Sequence, residues 1–433
     1  MKTTHMIVFG SLVALSMGAA SDTHYSQAQL RAIYDHAVRY TQAVEFPSFV
    51  SVGDPIAGRA EFGASADGQN VDITPAALFQ GQSVIAGTVV SNGTGCATCH
   101  RPSSNFNLGQ PPLSAHIPAS DSFWAGRNAE AQGDPRQAAL LDSHGLLKIR
   151  INRFNPALPE SSPFRQIFAW RKTQTIINMA LAYGLLTDLR ARGPVEQARG
   201  AGFNHTQDGD ARFDDLVNPH LNDIVAYQQT ELRPAALQGL LDPTSPIHQT
   251  LIDDPFYTVP MTTDEQRRGK DVFVQSCMGC HNMPNVFGNL DHQEGPGPNY
   301  APVIGHAMDI GVAERNKLGL DVRFYDNTTG AYSTIVLPLA REDGAIINWP
   351  VTDDVGTAAT TGRFEDLHRF KVPQLRMVSQ LAPYFHDNSA ATLEEAVDYF
   401  NSDDYNESPD GRAHPIHLSA SERADLLAFL RVL

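Results

Sequence analysis

The four cysteines of this 433-residue chain all lie in two motifs of one form, a Cys-x-x-Cys pair followed directly by histidine. The motifs are Cys96-Ala-Thr-Cys99-His100 and Cys277-Met-Gly-Cys280-His281. Two thiols at this spacing can form thioether bonds with the two vinyl groups of one haem, and the next histidine then lies under the iron. The sequence therefore predicts two covalently bound haem c groups, with His100 and His281 as proximal iron ligands.

Other chemistries use the same cysteine pattern. One copy could be a dithiol redox pair or half of a zinc site. Two copies in a chain without any further cysteine are harder to explain in either way, and no cysteine remains for a structural disulfide.

The first twenty residues resemble a secretory signal peptide. Lys2 precedes an apolar run over residues 6–17, and the small residues Gly18, Ala19 and Ala20 follow. The alternatives are a buried N-terminal helix or an uncleaved anchor, but the run is shorter than the roughly 20 apolar residues that a membrane span needs. We expect residues 1–20 to be removed and the mature chain to be periplasmic, without a membrane span.

The chain is acidic. Aspartate and glutamate outnumber lysine and arginine by 48 to 32, which gives a formal charge of −16. Because phosphate binding needs basic patches, this balance argues against nucleic acid as a partner. It permits docking of a basic protein.

Helical spacing of apolar residues predicts a mainly α fold with long loops. Capping boxes are expected near Thr262–Thr263, where Glu265 and Gln266 can complete the box, and at Ser419 with Glu422. Residues 233–261 carry five prolines and little periodicity, so we predict two haem domains, residues 21–232 and residues 233–433. Segment 321–362 reads as a small β insertion.

The second half carries a family resemblance. The runs at 369–376 (Arg-Phe-Lys-Val-Pro-Gln-Leu-Arg), 382–387 (Ala-Pro-Tyr-Phe-His-Asp) and 392–397 (Thr-Leu-Glu-Glu-Ala-Val) resemble the di-haem cytochrome c peroxidase family, which includes the MauG enzymes. The resemblance implies two cytochrome-c-like haem domains. It also implies that hydrogen peroxide reacts at the N-terminal haem, while the C-terminal haem receives electrons from a small redox protein such as a cytochrome c or a cupredoxin.

The resemblance also implies catalytic residues. Family members carry a Trp-Asp-Gly-Arg segment, then Glu-Gln-Ala, then an acid/base residue. The corresponding runs are Thr187-Asp188-Leu189-Arg190 and Glu196-Gln197-Ala198, followed by His205 or Gln207. Glutamine cannot transfer protons, whereas a histidine pKa near 6.5 suits a proton shuttle. We therefore expect Glu196, Gln197 and His205 to serve catalysis; a solvated loop histidine is the alternative for His205.

Two further iron ligands are implied. His116 lies at about the separation from His100 at which resting family members place a displaceable histidine; a loop histidine is the alternative. Peroxidases have methionine, and MauG tyrosine, at the position of Phe400, so a shift of one residue would make Tyr399 the sixth ligand of the second iron. Met377 and Met308 are the remaining candidates, and a packed helix aromatic is the alternative for Tyr399.

Two departures from the family concern the space between the haems. Thr187 replaces the tryptophan that usually bridges them. Lys172 replaces an asparagine that helps to hold an interhaem calcium ion. Because an ammonium group cannot ligate calcium, a bound calcium ion is not expected here.

Three functions remain open at this point. The leading prediction is peroxide reduction by a haem oxidoreductase. A MauG-like enzyme that oxidises residues of a partner protein is one alternative. A di-haem electron carrier with both irons fully ligated, with His116 permanently bound, is the other.

Overall fold

The computed structural model describes residues 53–63, 84–85, 88–89, 95–121, 123–124, 133–151, 166–182, 184–191, 193–205, 212–289 and 307–433. The predicted signal peptide lies outside these residues. None of the helices in the described part is long and apolar enough to cross a membrane. Below, residues 53–232 are called the first half and residues 233–433 the second half, after the predicted division, which stays a prediction.

Helices dominate the described residues, which confirms the predicted mainly α class. The helices of the first half are α1 Pro55–Gly63, α2 Cys96–Cys99, α3 Gln137–His144, α4 Pro194–His205 and α5 Arg212–Thr230. Those of the second half are α6 Gln238–Leu241, α7 His248–Asp253, α8 Asp264–Ser276, α9 Val312–Arg315, α10 Ala358–Thr361, α11 Leu393–Phe400, α12 Asp403–Asn406, α13 Pro409–Ala413 and α14 Ala420–Leu430.

Strands form only two-stranded antiparallel sheets in the described part of the chain. The pairs are β1 Val84–Ile85 with β2 Thr88–Val89, β3 Leu146–Arg150 with β4 Phe168–Lys172, β5 Ala307–Met308 with β10 Phe370–Lys371, β6 Phe324–Asp326 with β7 Ala331–Ser333, and β8 Val336–Ala340 with β9 Ile346–Pro350. The predicted β insertion is thus two hairpins, β6–β7 and β8–β9.

Each half contains a pair of helices that cross at a glycine. In the first half α1 packs against α5, and a Cβ on Gly58 would lie 1.7 Å from the carbonyl oxygen of Asp223. In the second half α8 packs against α14, and a Cβ on Gly269 would lie 1.9 Å from the carbonyl oxygen of Asp425. Because no real Cβ tolerates such distances, the close crossing requires glycine at both positions.

The second helix pair begins as predicted. Thr263 caps α8, and Ser419 caps α14. In each capping box the hydroxyl of the capping residue accepts a hydrogen bond from the amide of the third helical residue, Gln266 or Glu422. The side chain of that third residue accepts a hydrogen bond from the amide of the capping residue. Residues 233–261, expected to be a connection, hold the short helices α6 and α7. Their side chains share a buried cluster with residues from both halves, composed of Leu181, Leu237, Leu240, Leu251, Ile252, Met283 and Val286.

The β3–β4 hairpin of the first half packs into the insertion of the second half. Trp170 and Leu146 share a core with Leu337, Leu339 and Val351, and the Trp170 indole donates to the carbonyl of Asp321 at 3.0 Å. This packing joins the two halves.

The two halves also exchange backbone hydrogen bonds in a symmetric way. The amide of Lys172 donates to the carbonyl of His386 at 2.9 Å, and the amide of Lys371 donates to the carbonyl of Thr187 at 2.8 Å. Both lysines end a strand. Within each half the acceptor lies fifteen residues after the lysine: Thr187 follows Lys172, and His386 follows Lys371. The segments 172–187 and 371–386 are therefore repeated units that bind one another.

Candidate haem and peroxide site

Both histidines of the haem motifs are held in the same way. His100 Nδ1 lies 3.2 Å from the carbonyl oxygen of Phe106, and His281 Nδ1 lies 2.9 Å from that of Phe287. Phe106 and Phe287 both adopt a positive φ of 60°, which turns each carbonyl back towards its histidine. A ring that donates from Nδ1 keeps the lone pair on Nε2, the form that ligates iron. The geometry fits haem ligation at both motifs.

Burial keeps the second histidine neutral. It lowers the pKa of His281 to about 4, although the backbone carbonyls of Phe287 and Pro373 act in the opposite direction. A neutral imidazole is ready to bind iron without first losing a proton.

Burial raises the pKa of the first cysteine of each motif, Cys96 and Cys277, to about 12. A raised pKa disfavours the thiolate that a reactive dithiol needs. Within the described residues, none of the cysteines belongs to a group of three or more possible metal ligands. The two cysteines of each motif instead suit covalent attachment of one haem.

The predicted catalytic pair Glu196–Gln197 lies in the first turn of α4. The Gln197 Oε1 atom is buried and has no hydrogen-bond partner among the described residues. Because buried amide oxygens are nearly always satisfied, this atom marks a place that a ligand or solvent would occupy. Gln197 therefore fits a site for a small polar molecule.

His205 is the last residue of the same helix. At 1.5 Å per residue, the eight residues from Gln197 to His205 separate the two by about 12 Å along the helix axis. The helix thus does not bring the two backbones together, and the His205 side chain is outside what the structure describes. Its shared action with Gln197 stays a prediction, and Gln207 lies outside the described residues.

Thr187 and Asp188 lie in a buried polar network beside this helix. The Thr187 hydroxyl accepts from Gln174 at 2.5 Å. Asp188 Oδ2 accepts from Arg171 at 2.7 Å and from Arg190 at 2.6 Å. Arg171 also binds Asp354 of the insertion through two hydrogen bonds of 2.7 Å. Thr187, which the resemblance aligns with the family's bridging tryptophan, is thus a small polar residue that accepts hydrogen bonds through its hydroxyl and its backbone carbonyl.

His116 is exposed, and its Nε2 lies 3.0 Å from the carbonyl oxygen of Leu108. In this arrangement the backbone engages that nitrogen. The role of His116 as a displaceable ligand stays a prediction.

Tyr399 is 5% exposed, and its hydroxyl donates to the carbonyl of Ile310 at 2.5 Å. Phe385 packs edge-on against its ring, with centroids 5.0 Å apart. Ligation of the second iron by Tyr399 would require this hydroxyl to leave Ile310, and that role stays a prediction. Met377 packs against the cluster that holds Phe106 and Cys96, at the motif of the first half.

Tyr405 is a buried residue that the sequence did not indicate. Burial raises its pKa, and its hydroxyl donates to the carbonyl of His414 at 2.9 Å. Its ring centroid lies 5.0 Å from that of Phe400, in the buried cluster that also holds Tyr399.

Comparison with known proteins gives cytochrome-c peroxidases as relatives in sequence. No protein-family model matches the chain. Cytochrome-c peroxidase IdrP1 of Denitromonas iodatirespirans is 32% identical over 290 residues, which cover 61% of this chain and 68% of that protein. Cytochrome-c peroxidase IdrP2 of the same organism is 24% identical over 344 residues, covering 79% and 76%. A solved MauG-like protein associated with microbial copper homeostasis is 17% identical, covers 89% of this chain and 93% of its own, and superposes with a TM-score of 0.43.

Two haem motifs of like geometry, a buried glutamine oxygen without a partner among the described residues, and the extended similarity to cytochrome c peroxidases agree with one another. The chain is a peroxidase-like haem oxidoreductase that belongs to the di-haem cytochrome c peroxidase and MauG family.

Proposed function

We propose that this protein reduces hydrogen peroxide to water at the haem of His100, with electrons that enter through the haem of His281. The proposal rests on a difference between the two halves in the polar groups that each offers to a small substrate. In the first half the buried Gln197 Oε1 has no hydrogen-bond partner among the described residues, and the same half contains the buried ion pair of Arg171 with Asp188. The second half surrounds Tyr399 with aromatic side chains and engages its hydroxyl with the backbone. A small polar substrate is better served by the first.

The proposed haems are covalently attached, through Cys96 and Cys99 and through Cys277 and Cys280. His100 and His281 hold the irons, each oriented by the carbonyl six residues on. Bound haem supplies the electron-transfer chemistry that cleaves a peroxide bond. The protein's own contribution is to bind peroxide, deliver protons and exclude other ligands.

In the proposed reaction one hydrogen peroxide, two electrons and two protons give two molecules of water. Gln197 Oε1 accepts a hydrogen bond from an O–H of the peroxide, and His205 moves a proton between the two oxygen atoms. Glu196 helps to set the position of Gln197 from the preceding residue. Since His205 begins about 12 Å along the helix axis, its side chain has to extend towards Gln197, or a water has to carry the proton.

The electron route proposed between the halves uses their mutual hydrogen bonds. Asn178 Nδ2 donates to Gln374 Oε1 at 3.1 Å, and Gln374 Nε2 donates to the carbonyl of Ile177. The crossed bonds from Lys172 and Lys371 lie in the same two segments. The electrons come in two single steps from a small redox protein, and the net charge of −16 favours a basic donor. The proposed compartment is the periplasm, reached through the signal peptide.

The test is turnover of hydrogen peroxide by purified full-length protein with its haems attached. Reduced cytochrome c and reduced cupredoxin serve as alternative donors, and falling rates at higher salt are expected for a basic donor. A His205→Ala variant should lose about 10²-fold or more of the rate. Gln197→Leu should raise the KM for hydrogen peroxide. The exposed His417→Ala is the matched control and should change neither the rate nor the KM.

The outcomes separate the candidate functions. Peroxide consumption with a small redox protein as donor supports the proposal. Peroxide consumption only when residues of a partner protein are oxidised identifies the MauG-like alternative. If peroxide neither reacts nor perturbs the haem spectrum in any redox state, the protein is an electron carrier and the proposal fails.

A further inference from the structure

Lys172, the last residue of β4, carries its amine into the boundary between the two halves. Its Nζ donates to the carbonyl of Leu381 at 3.0 Å and also to the carbonyl of Pro383. The two acceptors belong to one short loop of the second half, which continues to His386, the acceptor of the Lys172 amide. A single residue of the first half thus binds this loop through its side chain and its backbone.

The oxygens around Lys172 resemble a cation site. Convergent backbone carbonyls are the ligands that a hard divalent cation such as calcium prefers. Here an ammonium group, a compact charge with three donors and no lone pair, binds those carbonyls directly. Burial lowers the pKa of Lys172 to about 8, which leaves the amine mostly protonated at neutral pH.

The family resemblance implies a calcium ion at this boundary, held with help from an asparagine where this chain has Lys172. The residues present do not fit such an ion. Lysine supplies no oxygen ligand, and its positive charge would repel calcium from the two carbonyls it occupies.

We propose that the Lys172 ammonium is the resident cation of this junction. It binds the carbonyls of Leu381 and Pro383 where a divalent ion would otherwise bind, so that the two halves are held together without calcium. The inference concerns how the halves are joined, and it goes beyond the proposed reaction.

The chain offers a matched control in Lys371. This lysine occupies the equivalent position of the repeated segment, its amide makes the equivalent bond to Thr187, and burial lowers its pKa to about 8 as well. Its ammonium has no carbonyl pair among the described residues, so the two lysines differ in the feature that the proposal uses.

The experiment measures thermal unfolding of the full-length haem-loaded protein by circular dichroism, in a calcium chelator and in millimolar calcium. The wild type should have the same midpoint in both conditions. Lys172→Met should lower the midpoint by ~3 °C or more in both, and Lys371→Met should lower it less. Equal midpoints for Lys172→Met and the wild type would overturn the proposal.

A Lys172→Asn variant tests the site itself. It removes the ammonium and supplies an amide oxygen, so calcium should raise its unfolding midpoint and should bind with one-to-one stoichiometry in calorimetry. Absence of any calcium response in this variant would refute the carbonyl pair as a cation site. Should the variants fail to fold, calorimetry on the wild type still decides: a stoichiometric calcium site that stabilises it contradicts the proposal, and no binding supports it. None of these measurements depends on peroxide turnover.

Discussion

Asn178 and Gln374 hydrogen-bond to one another across the boundary between the halves, with 3.1 Å between Nδ2 and Oε1. Asn178 is buried, with a positive φ of 59°, and its own oxygen accepts from the amide of Arg233. The pair therefore connects the segment before Thr187 to the corresponding segment of the second half.

A Gln374→Leu substitution should slow electron transfer between the haems, because it removes both bonds that Gln374 makes to the first half. It should also destabilise the protein by about 1–3 kcal/mol, since Asn178 and the Ile177 carbonyl lose a partner. Stopped-flow spectroscopy of haem reduction measures the rate. Gln380→Leu is the control, because its bond to Asn105 is exposed; an equal effect of both variants contradicts a special role for Gln374.

Gly269→Ala should separate α8 from α14, since the added Cβ would lie 1.9 Å from the carbonyl of Asp425. Overpacking of this kind costs about 1–3 kcal/mol or more, and the helix that leads into Cys277 would shift with it. Urea unfolding measures the loss. Gly193→Ala is the control, because a Cβ there meets nothing within 4 Å; a Gly269→Ala variant as stable as this control would disprove the crossing.

Arg171→Met should be among the most destabilising substitutions in the chain. The guanidinium is buried between Asp188 and Asp354, and its removal leaves Asp354 without its arginine partner and Asp188 with Arg190 alone. Loss of one member of such a buried set costs about 3–5 kcal/mol. By contrast, the exposed pair of Arg363 with Glu342 should contribute less than about 1 kcal/mol. Denaturant midpoints of Arg171→Met and Arg363→Met compare the two; similar losses would refute the difference.

His368 should make stability depend on pH. Burial alone would lower its pKa, but Asp353 and Glu314, each 2.9 Å from one ring nitrogen, raise it to about 10. Because the folded pKa exceeds the unfolded value near 6.5, the stabilisation is complete below about pH 6.5 and is lost as the pH rises towards 10.

The corresponding experiment compares His368→Gln with the wild type in urea at about pH 6 and about pH 9.5. The variant should be clearly less stable at the lower pH, and the difference should shrink at the higher one. A difference that stays constant between the two would show that His368 acts through packing and not through its charge.

The features that could be predicted from the sequence are those with local causes. The capping boxes at Thr263 and Ser419 depend on residues three positions apart, and both form. The haem motifs depend on covalent chemistry within five residues. The hairpins of the insertion follow from alternating residues between turns.

The features that could not be predicted depend on contacts far apart in the chain. Lys172 meets Leu381 only because two segments pair across the fold, and no local pattern of either segment indicates this. For His205 the sequence indicates a suitable acid/base group, but the helix that carries it separates it from Gln197 by about 12 Å along the axis. The distance between Gln197 and His205 could be worked out only once a continuous helix was known to join them.

The crossed bonds of Lys172 to His386 and of Lys371 to Thr187 have a consequence for inheritance. Each half donates a backbone amide to a carbonyl of the other half, so exchange of one half alone would break both bonds. A recombination event that replaced one half with that of a distant relative would have to bring a matching strand end and loop with it. Selection therefore acts on the two halves as one heritable unit, although each carries its own haem motif.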